Sequence, residues 1–382
     1  MHPPQSHRKD ERAKQAKSTV NKTIPALLKS DWRARKGVEA AELIVDPPPL
    51  AGCAQRGPNT DLEKDGIEIN IVAVDTVTAA LRLCNSENTT RSKKEAVVGI
   101  LNMASPLRPG GGFLNGATSQ EEFLCMRTTL YPSLQESFYR LPEIGGVWTP
   151  DVLVFRDGKR EANELAKTQR RHVGVVSAAM LRFPELHGDG KYYALQQDYD
   201  MAERKMRAVM RIFTSKNVSR IVLGAWGCGA YGNPVAQIAS LWKKVLLGDT
   251  VCETTGMKAS ANKGYEIWSG VKKVTFAVTD RGIAEEYTKC FGIELESEAE
   301  AEGTGSADIE EIYTDDRSTH ELQSRIEELE AQIAQARTTI LRSGLEDILA
   351  TLRHQLNDLG KEKATGSEYS CEPAANEGEV GG

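Results

Sequence analysis

The stretch AVVGILNMASPLRPGGGFLNGATSQEE, residues 96–122, runs from a short apolar segment through a loop of prolines and glycines to two adjacent carboxylates. Residues 96–104 form an apolar run of strand length, and Pro106, Pro109 and the three glycines at 110–112 exclude helix and strand from the segment after it. Three consecutive glycines cost folding entropy. A chain accepts that where its backbone must approach another group closely or take positive φ. A loop of N–H groups without side chains suits a phosphate or a sugar face. Residues 120–131, QEEFLCMRTTLY, then read as a helix with Glu121 and Glu122 in its first turn.

Outward from this stretch, strands and helices alternate. Residues 67–74, IEINIVAV, read as a buried strand, and DTVTAALRLC after them places apolar residues at helical spacing behind an Asp cap. Beyond the helix at 120–131, strands are expected at 151–156, 172–178, 220–226 and 271–278, with helices at 199–215, 234–248 and 281–291. Pro234 suits a first helical position. Such alternation predicts a mixed or mostly parallel sheet covered by helices on both faces, with ligands beyond the carboxyl ends of the strands. On the amino-terminal side, residues 22–50 have a helical pattern that stops at DPPP.

With 382 residues, one enzyme-sized core plus appendages is expected. Residues 1–21 are expected to be a disordered N-terminus and residues 22–295 the core with its helical extension. Residues 296–317 are read as an acidic linker with little to bury. From Ser318 with Glu321, Leu322, Ile326, Leu329, Ile333, Ala336 and Ile340 recur at spacings of four and three, and after Gly344 a leucine series resumes. Residues 318–363 therefore read as a coiled coil, either between molecules, which would make a homodimer, or as a helical hairpin. Residues 364–382 are expected to be a disordered tail.

The net charge of −6 gives the whole molecule no field that would draw it to polyanions, so an anion site must be built locally. The opening residues MHPPQSHRKDERAKQAK hold no apolar signal core and no later run is long enough for a membrane span, so the chain is read as neither secreted nor membrane-spanning. Seven scattered cysteines without a C-x-x-C pair predict a reducing compartment, nucleus or cytoplasm, and no structural zinc.

A second glycine-rich segment, GAWGCGAYGNP at residues 224–234, ends a strand and opens a helix. Free N–H groups at such a junction attract anions, and a diphosphate is the natural occupant. No G-K-[ST] follows, so it is not a Walker loop. Two such loops could clamp one dinucleotide-like ligand between them.

The run PGGGFLNGATSQEE at 109–122 resembles the signature of microbial-type poly(ADP-ribose) glycohydrolases, three glycines, a spacer and Gln-Glu-Glu. RTTLYPSL at 127–134, TPDVLVFRD at 149–157 and LGAWGCGAYGNP at 223–234 are similar to further blocks of that family, in its order. The resemblance spans roughly residues 22–291 and leaves out the coiled coil and tail. It implies a three-layer αβα macrodomain-like sandwich with a mixed central sheet and an N-terminal helical extension, and ADP-ribose polymer as substrate. It makes Glu122 the catalytic acid, Glu121 the neighbour that holds ribose hydroxyls, and Gln120 a support for the catalytic loop. Gly110, Gly111 and Gly112 would line the distal ribose and diphosphate, and Asn102 would bond that ribose. Gly227, Cys228, Gly229 and Ala230 would wrap the diphosphate from the other side. Tyr231 stands where many relatives have Phe against the terminal ribose, and Asp75 where macrodomains often place an adenine-binding Asp. The partners implied are poly(ADP-ribose), ADP-ribose and ADP-ribosylated proteins, with no cofactor, no metal and no membrane.

The chemistry fits a carboxyl at such a place. Cleaving an O-glycosidic bond passes through an oxocarbenium-like state, and the departing ribose oxygen needs a proton as the bond breaks. Successive helical residues point about 100° apart, so Glu121 and Glu122 must divide the work. A blander reading stands beside it, since Ser119-x-x-Glu122 and Thr118-x-x-Glu121 both satisfy the capping-box pattern. Two rivals to hydrolysis are a non-catalytic reader of ADP-ribose and a scaffold whose main element is the coiled coil.

Overall fold

In the computed structural model of the chain, residues 5–50, 66–86, 97–188, 190–248 and 266–296, with 326, 349, 350 and 353, are described. The chain divides into two units, Met1–Tyr313 and Thr314–Gly382. The first begins with α1 (Gln5–Ser18), a π-helical turn Thr19–Thr23, α2 (Ile24–Ser30) and α3 (Trp32–Glu39). There follow β1 (Glu42–Val45), β2 (Glu68–Val72), α4 (Thr76–Asn85), β3 (Val98–Met103), α5 (Gln120–Arg127), β4 (Gly145–Val154) and β5 (Arg171–Ala178). The last elements are α6 (Gln196–Ser215), β6 (Arg220–Leu223), α7 (Val235–Leu247), β7 (Lys273–Ala277) and α8 (Arg281–Phe291).

The seven strands make one sheet in the order β1-β4-β5-β3-β6-β7-β2. The pairs β5–β3, β3–β6, β6–β7 and β7–β2 are parallel, whereas β1–β4 and β4–β5 are antiparallel. The sheet is thus mixed, and period-2 alternation sends its apolar side chains to two cores. Leu101, Ile221, Val274 and Phe276 face α6, α7 and α8, where Trp226 stacks on Trp242 at 6.1 Å between ring centroids. Ile100, Val175, Val222 and Ala277 face the other way, toward α4, α5 and Ala16 of α1. This is a three-layer αβα sandwich.

The structure corrects three expectations. Residues 1–21 were expected to be disordered, but Gln5–Ser18 is helical, with Ala16 fully buried. A polar helix carries little periodic signal, and only its one apolar side reaches the core. The helical pattern over 22–50 also hides β1, four residues at the sheet edge that pair Ile44 with Gly146. Pro234 lies one residue earlier than expected, at the N-cap of α7 with ψ 118.

In the second unit the described residues are Ile326, Leu349, Ala350 and Arg353, all helical, with Ile326 and Leu349 buried. The rest of the coiled coil expected over 318–363, the linker at 297–317 and the tail at 364–382 lie outside the described residues. Among the described residues no helix is long and apolar enough to cross a membrane.

Candidate active site

The site forms where the central strand β3 and its neighbour β6 end side by side, with Ile100 opposite Val222. The loop carrying Gly110–Gly112 leaves β3 and the turn at 224–233 leaves β6. The two glycine-rich segments therefore lie at the carboxyl ends of adjacent strands, the geometry required for a clamp.

Gln120, the first residue of α5, ties the helix to β3. Its Oε1 accepts from Met103 N–H at 2.9 Å and its Nε2 donates to Leu101 O at 2.9 Å. Such a bidentate amide splice fixes the helix start against the strand end. The next two side chains then turn into the protein, and Glu121 and Glu122 are only 2% and 4% exposed.

Glu121 accepts from Ser105 N–H at 2.7 Å and from Asn102 Nδ2 at 3.4 Å. Gly110 N–H also donates to it, and Gly112 N–H donates to Glu122 Oε1 at 2.7 Å. The Ser119 hydroxyl donates to Glu122 Oε2. The capping box does not form, because the Ser119 side chain makes no bond to the helix backbone and is spent on Glu122.

The glycines are explained by these carboxylates. A Cβ on Gly111 would lie 2.7 Å from Glu122 Oε1 and 3.0 Å from Glu121 Oε2, and Gly110 and Gly111 have φ of 65° and 55°. A Cβ on Gly110 would strike the Tyr131 ring at 2.8 Å. The N–H of Gly111 goes to Arg108 O at 3.2 Å. All three amides are thus engaged inside the protein, two of them on the carboxyl pair.

Electrostatics follow from burial. Burial first, and then the charge of Glu122, push the Glu121 carboxyl well above the usual carboxylate range, against the bonds from Ser105, Asn102 and Gly110. Burial, then the charges of Glu121 and Glu122, likewise hold the Cys125 thiol up.

On the far side, the N–H groups of Gly229, Ala230 and Tyr231 have no acceptor among the described residues. Cys228 is buried, and its N–H goes to Ala225 O at 3.1 Å. Gly227 has φ of 78° and leaves room for Asn233, whose Nδ2 would lie 2.6 Å from a Cβ there. Tyr231 bonds Ser105 through its hydroxyl, so the two loops touch, and burial pushes that hydroxyl up.

Asn102 is fully buried; its Nδ2 donates to Ser177 Oγ at 3.0 Å, while its Oδ1 has no partner among the described residues. Asp75 is the N-cap of α4. Its oxygens accept from Thr78 N–H at 2.9 Å and Thr78 Oγ1 at 2.5 Å.

Residues 53–157 match the family model described as the microbial-type PARG catalytic domain. The Gly-Gly-Gly and Gln-Glu-Glu runs and the blocks at 127–134 and 149–157 all fall inside the match. Solved structures similar to the chain include the poly(ADP-ribose) glycohydrolase of Thermomonospora curvata bound to the inhibitor ADP-HPD. That likeness has a TM-score of 0.55 at 23% identity, over 73% of this chain and 99% of that one. Another structure of the Thermomonospora curvata enzyme gives 0.54 at 23% identity, over 74% and 100%. These likenesses show the macrodomain-like fold over more of the chain than residues 53–157. No curated protein matches the sequence. The family match and this fold support an enzyme of the glycosidase class.

Several residues around this site escaped sequence reasoning. Asn233 ties the turn together, donating through Nδ2 to Leu181 O at 2.8 Å and Gly227 O at 3.0 Å while accepting from the Tyr193 hydroxyl at 2.8 Å. Arg182 lies 5.5 Å from the Phe183 and Tyr231 rings. Tyr139 places a buried hydroxyl without a partner among the described residues in the field of Glu121. None stands in a run of like residues, so nothing in the linear pattern marks them.

Proposed function

We propose that the chain hydrolyses the ribose–ribose O-glycosidic bonds of poly(ADP-ribose), mainly from the terminal unit, and releases ADP-ribose. The observation that carries this reading is the convergence of two buried carboxyls on the glycine loop, with Gly110 and Gly112 amides aimed at them. A protein that only holds ADP-ribose has no use for a raised carboxyl at this point.

In this reading the diphosphate lies along the unpartnered N–H groups of Gly229, Ala230 and Tyr231, with Gly227 and Cys228 shaping the turn. Asn102 Oδ1 receives a ribose hydroxyl, and Gly110, Gly111 and Gly112 line the ribose face. Glu121 keeps a proton to higher pH than an ordinary carboxyl and holds ribose hydroxyls. Glu122 passes a proton to the leaving 2′ oxygen as the bonding pair departs with that oxygen. The anomeric carbon becomes oxocarbenium-like, and Glu122 then takes a proton from the water that attacks it. Each turnover consumes one water, returns Glu122 to its starting state and needs no metal. Asp75, beyond the first core strand, would read the adenine. ADP-ribosylated proteins in the nucleus or cytoplasm carry the substrate.

The test is incubation of labelled polymer with the parent and with Glu122→Gln. Turnover is expected to fall by at least about 100-fold while ADP-ribose binding is kept, since an acid acts on the transition state more than on ground-state affinity. Equal turnover would overturn the assignment of Glu122. Binding without turnover in the parent would make the protein a reader.

A further inference from the structure

We infer that the N-terminal helices form a second, non-catalytic binding surface for the polymer, which takes the chain of units leading away from the one being cleaved. The inference uses the hydrolase reading only to name that polymer.

The first observation is charge. Residues 8–36 carry ten Lys or Arg against three Asp or Glu, whereas the whole chain has a net charge of −6. Lys14, Lys17, Lys22 and Lys29 are exposed, and none has a carboxylate partner among the described residues. A local positive field on an otherwise acidic molecule selects a polyanion.

The second observation is an aromatic ring within that field. Trp32 opens α3 and is 65% exposed. Isolated exposed apolar residues are ordinary, and this one would mean nothing alone. Arg35 and Lys36 follow it at three and four residues, on the same face of α3, with Lys36 also paired to Glu39 at 2.6 Å. Flat aromatic rings among cations bind single-stranded chains that alternate bases with phosphates. Poly(ADP-ribose) carries an unpaired adenine and two phosphates in every unit.

The third observation is the seat of the helices. Arg12 Nε donates to Gly116 O at 2.8 Å, and a Cβ on Gly116 would lie 2.2 Å from Lys9 O. Gly116 belongs to the link between the glycine loop and Glu121. The inner side of α1 therefore rests on the catalytic loop, while Lys14 and Lys17 of the same helix are exposed. A polymer whose end is in the cleft has this surface within reach.

The experiment uses the full chain in the Glu122→Gln form, with W32A or with Lys14, Lys17, Lys22 and Lys29 all changed to Ala, and labelled polymers of graded length. Both variants are expected to weaken long-polymer binding at least about tenfold and leave ADP-ribose binding unchanged. The lysine variant should also lower the slope of log affinity against log salt, by ~0.7 for each lost phosphate contact. In the Glu122 background, cleavage of a two-unit substrate should match the parent. Equal long-polymer affinity, or an equal loss on ADP-ribose, would overturn the inference. So would tighter binding of poly(A) RNA than of polymer, or of phosphatidylserine vesicles, at the same residues. If the parent cleaves no polymer yet the variants lose polymer binding, the hydrolase reading fails and this one stands.

Discussion

Gly112 N–H and Glu122 Oε1 lie 2.7 Å apart, so the third glycine of the loop holds the carboxylate ten residues further on. Gly111 next to it leaves the space that both carboxylates occupy. Gly111→Ala should therefore act on chemistry more than on folding. The φ of 55° adds a strain of about 1 kcal/mol for an L residue, and the methyl must displace Glu122 Oε1 from 2.7 Å. Turnover of labelled polymer is expected to drop at least about 100-fold, with the far-ultraviolet dichroism unchanged.

Glu121 makes a pH prediction whose sign is fixed by its environment. Burial and Glu122 raise its folded value above the ordinary carboxylate range, so the folded state binds the proton more tightly than the unfolded chain. Its ionisation then costs stability, by an amount that is absent below the ordinary value and grows as pH rises toward the folded one. Glu121→Gln removes that cost. The melting temperature of the variant should exceed that of the parent by a margin that widens from acid to neutral pH, and a constant difference would contradict a buried, proton-retaining carboxyl.

Much of this arrangement was legible in the chain because its signals are local. Three glycines, a strand end before them and a helix start after them are read within residues 96–122, and the alternation of apolar runs gives the layers. The partners of the glycine amides were not legible. Which acceptor Gly112 meets depends on how Gln120 splices α5 to β3, a contact that hydropathy does not encode. The loop therefore looked like a phosphate cradle, whereas its N–H groups serve the carboxyls and the open ones lie at 229–231. Helix α1 was missed for the converse reason, since Gln5–Ser18 is polar nearly all round and gains its place through Ala16 and the Gly116 contact.

Asp75 allows a separation of structure from recognition. It caps α4 through Thr78, and Asn serves that position about as well as Asp. Asp75→Asn should leave the melting temperature within a few degrees of the parent. If the carboxylate reads the adenine amine, the dissociation constant for ADP-ribose rises about tenfold, the value of one charge-assisted bond. Calorimetric titration decides it, and unchanged affinity confines Asp75 to the cap.

Asn233 tests the opposite wall of the cleft. Asn233→Ala strips Leu181 O and Gly227 O of their donor and the buried Tyr193 hydroxyl of its acceptor. Leaving such groups unsatisfied costs about 2–4 kcal/mol in total, which denaturant unfolding will register. The turn at 227–232 also loses the brace that holds the amides of Gly229, Ala230 and Tyr231 in a row. ADP-ribose binding should weaken at least about tenfold, and it should do so with Glu122 untouched. A stability loss without an affinity loss would detach the diphosphate from this turn and return it to the glycine loop, where the amides are already bonded to Glu121 and Glu122.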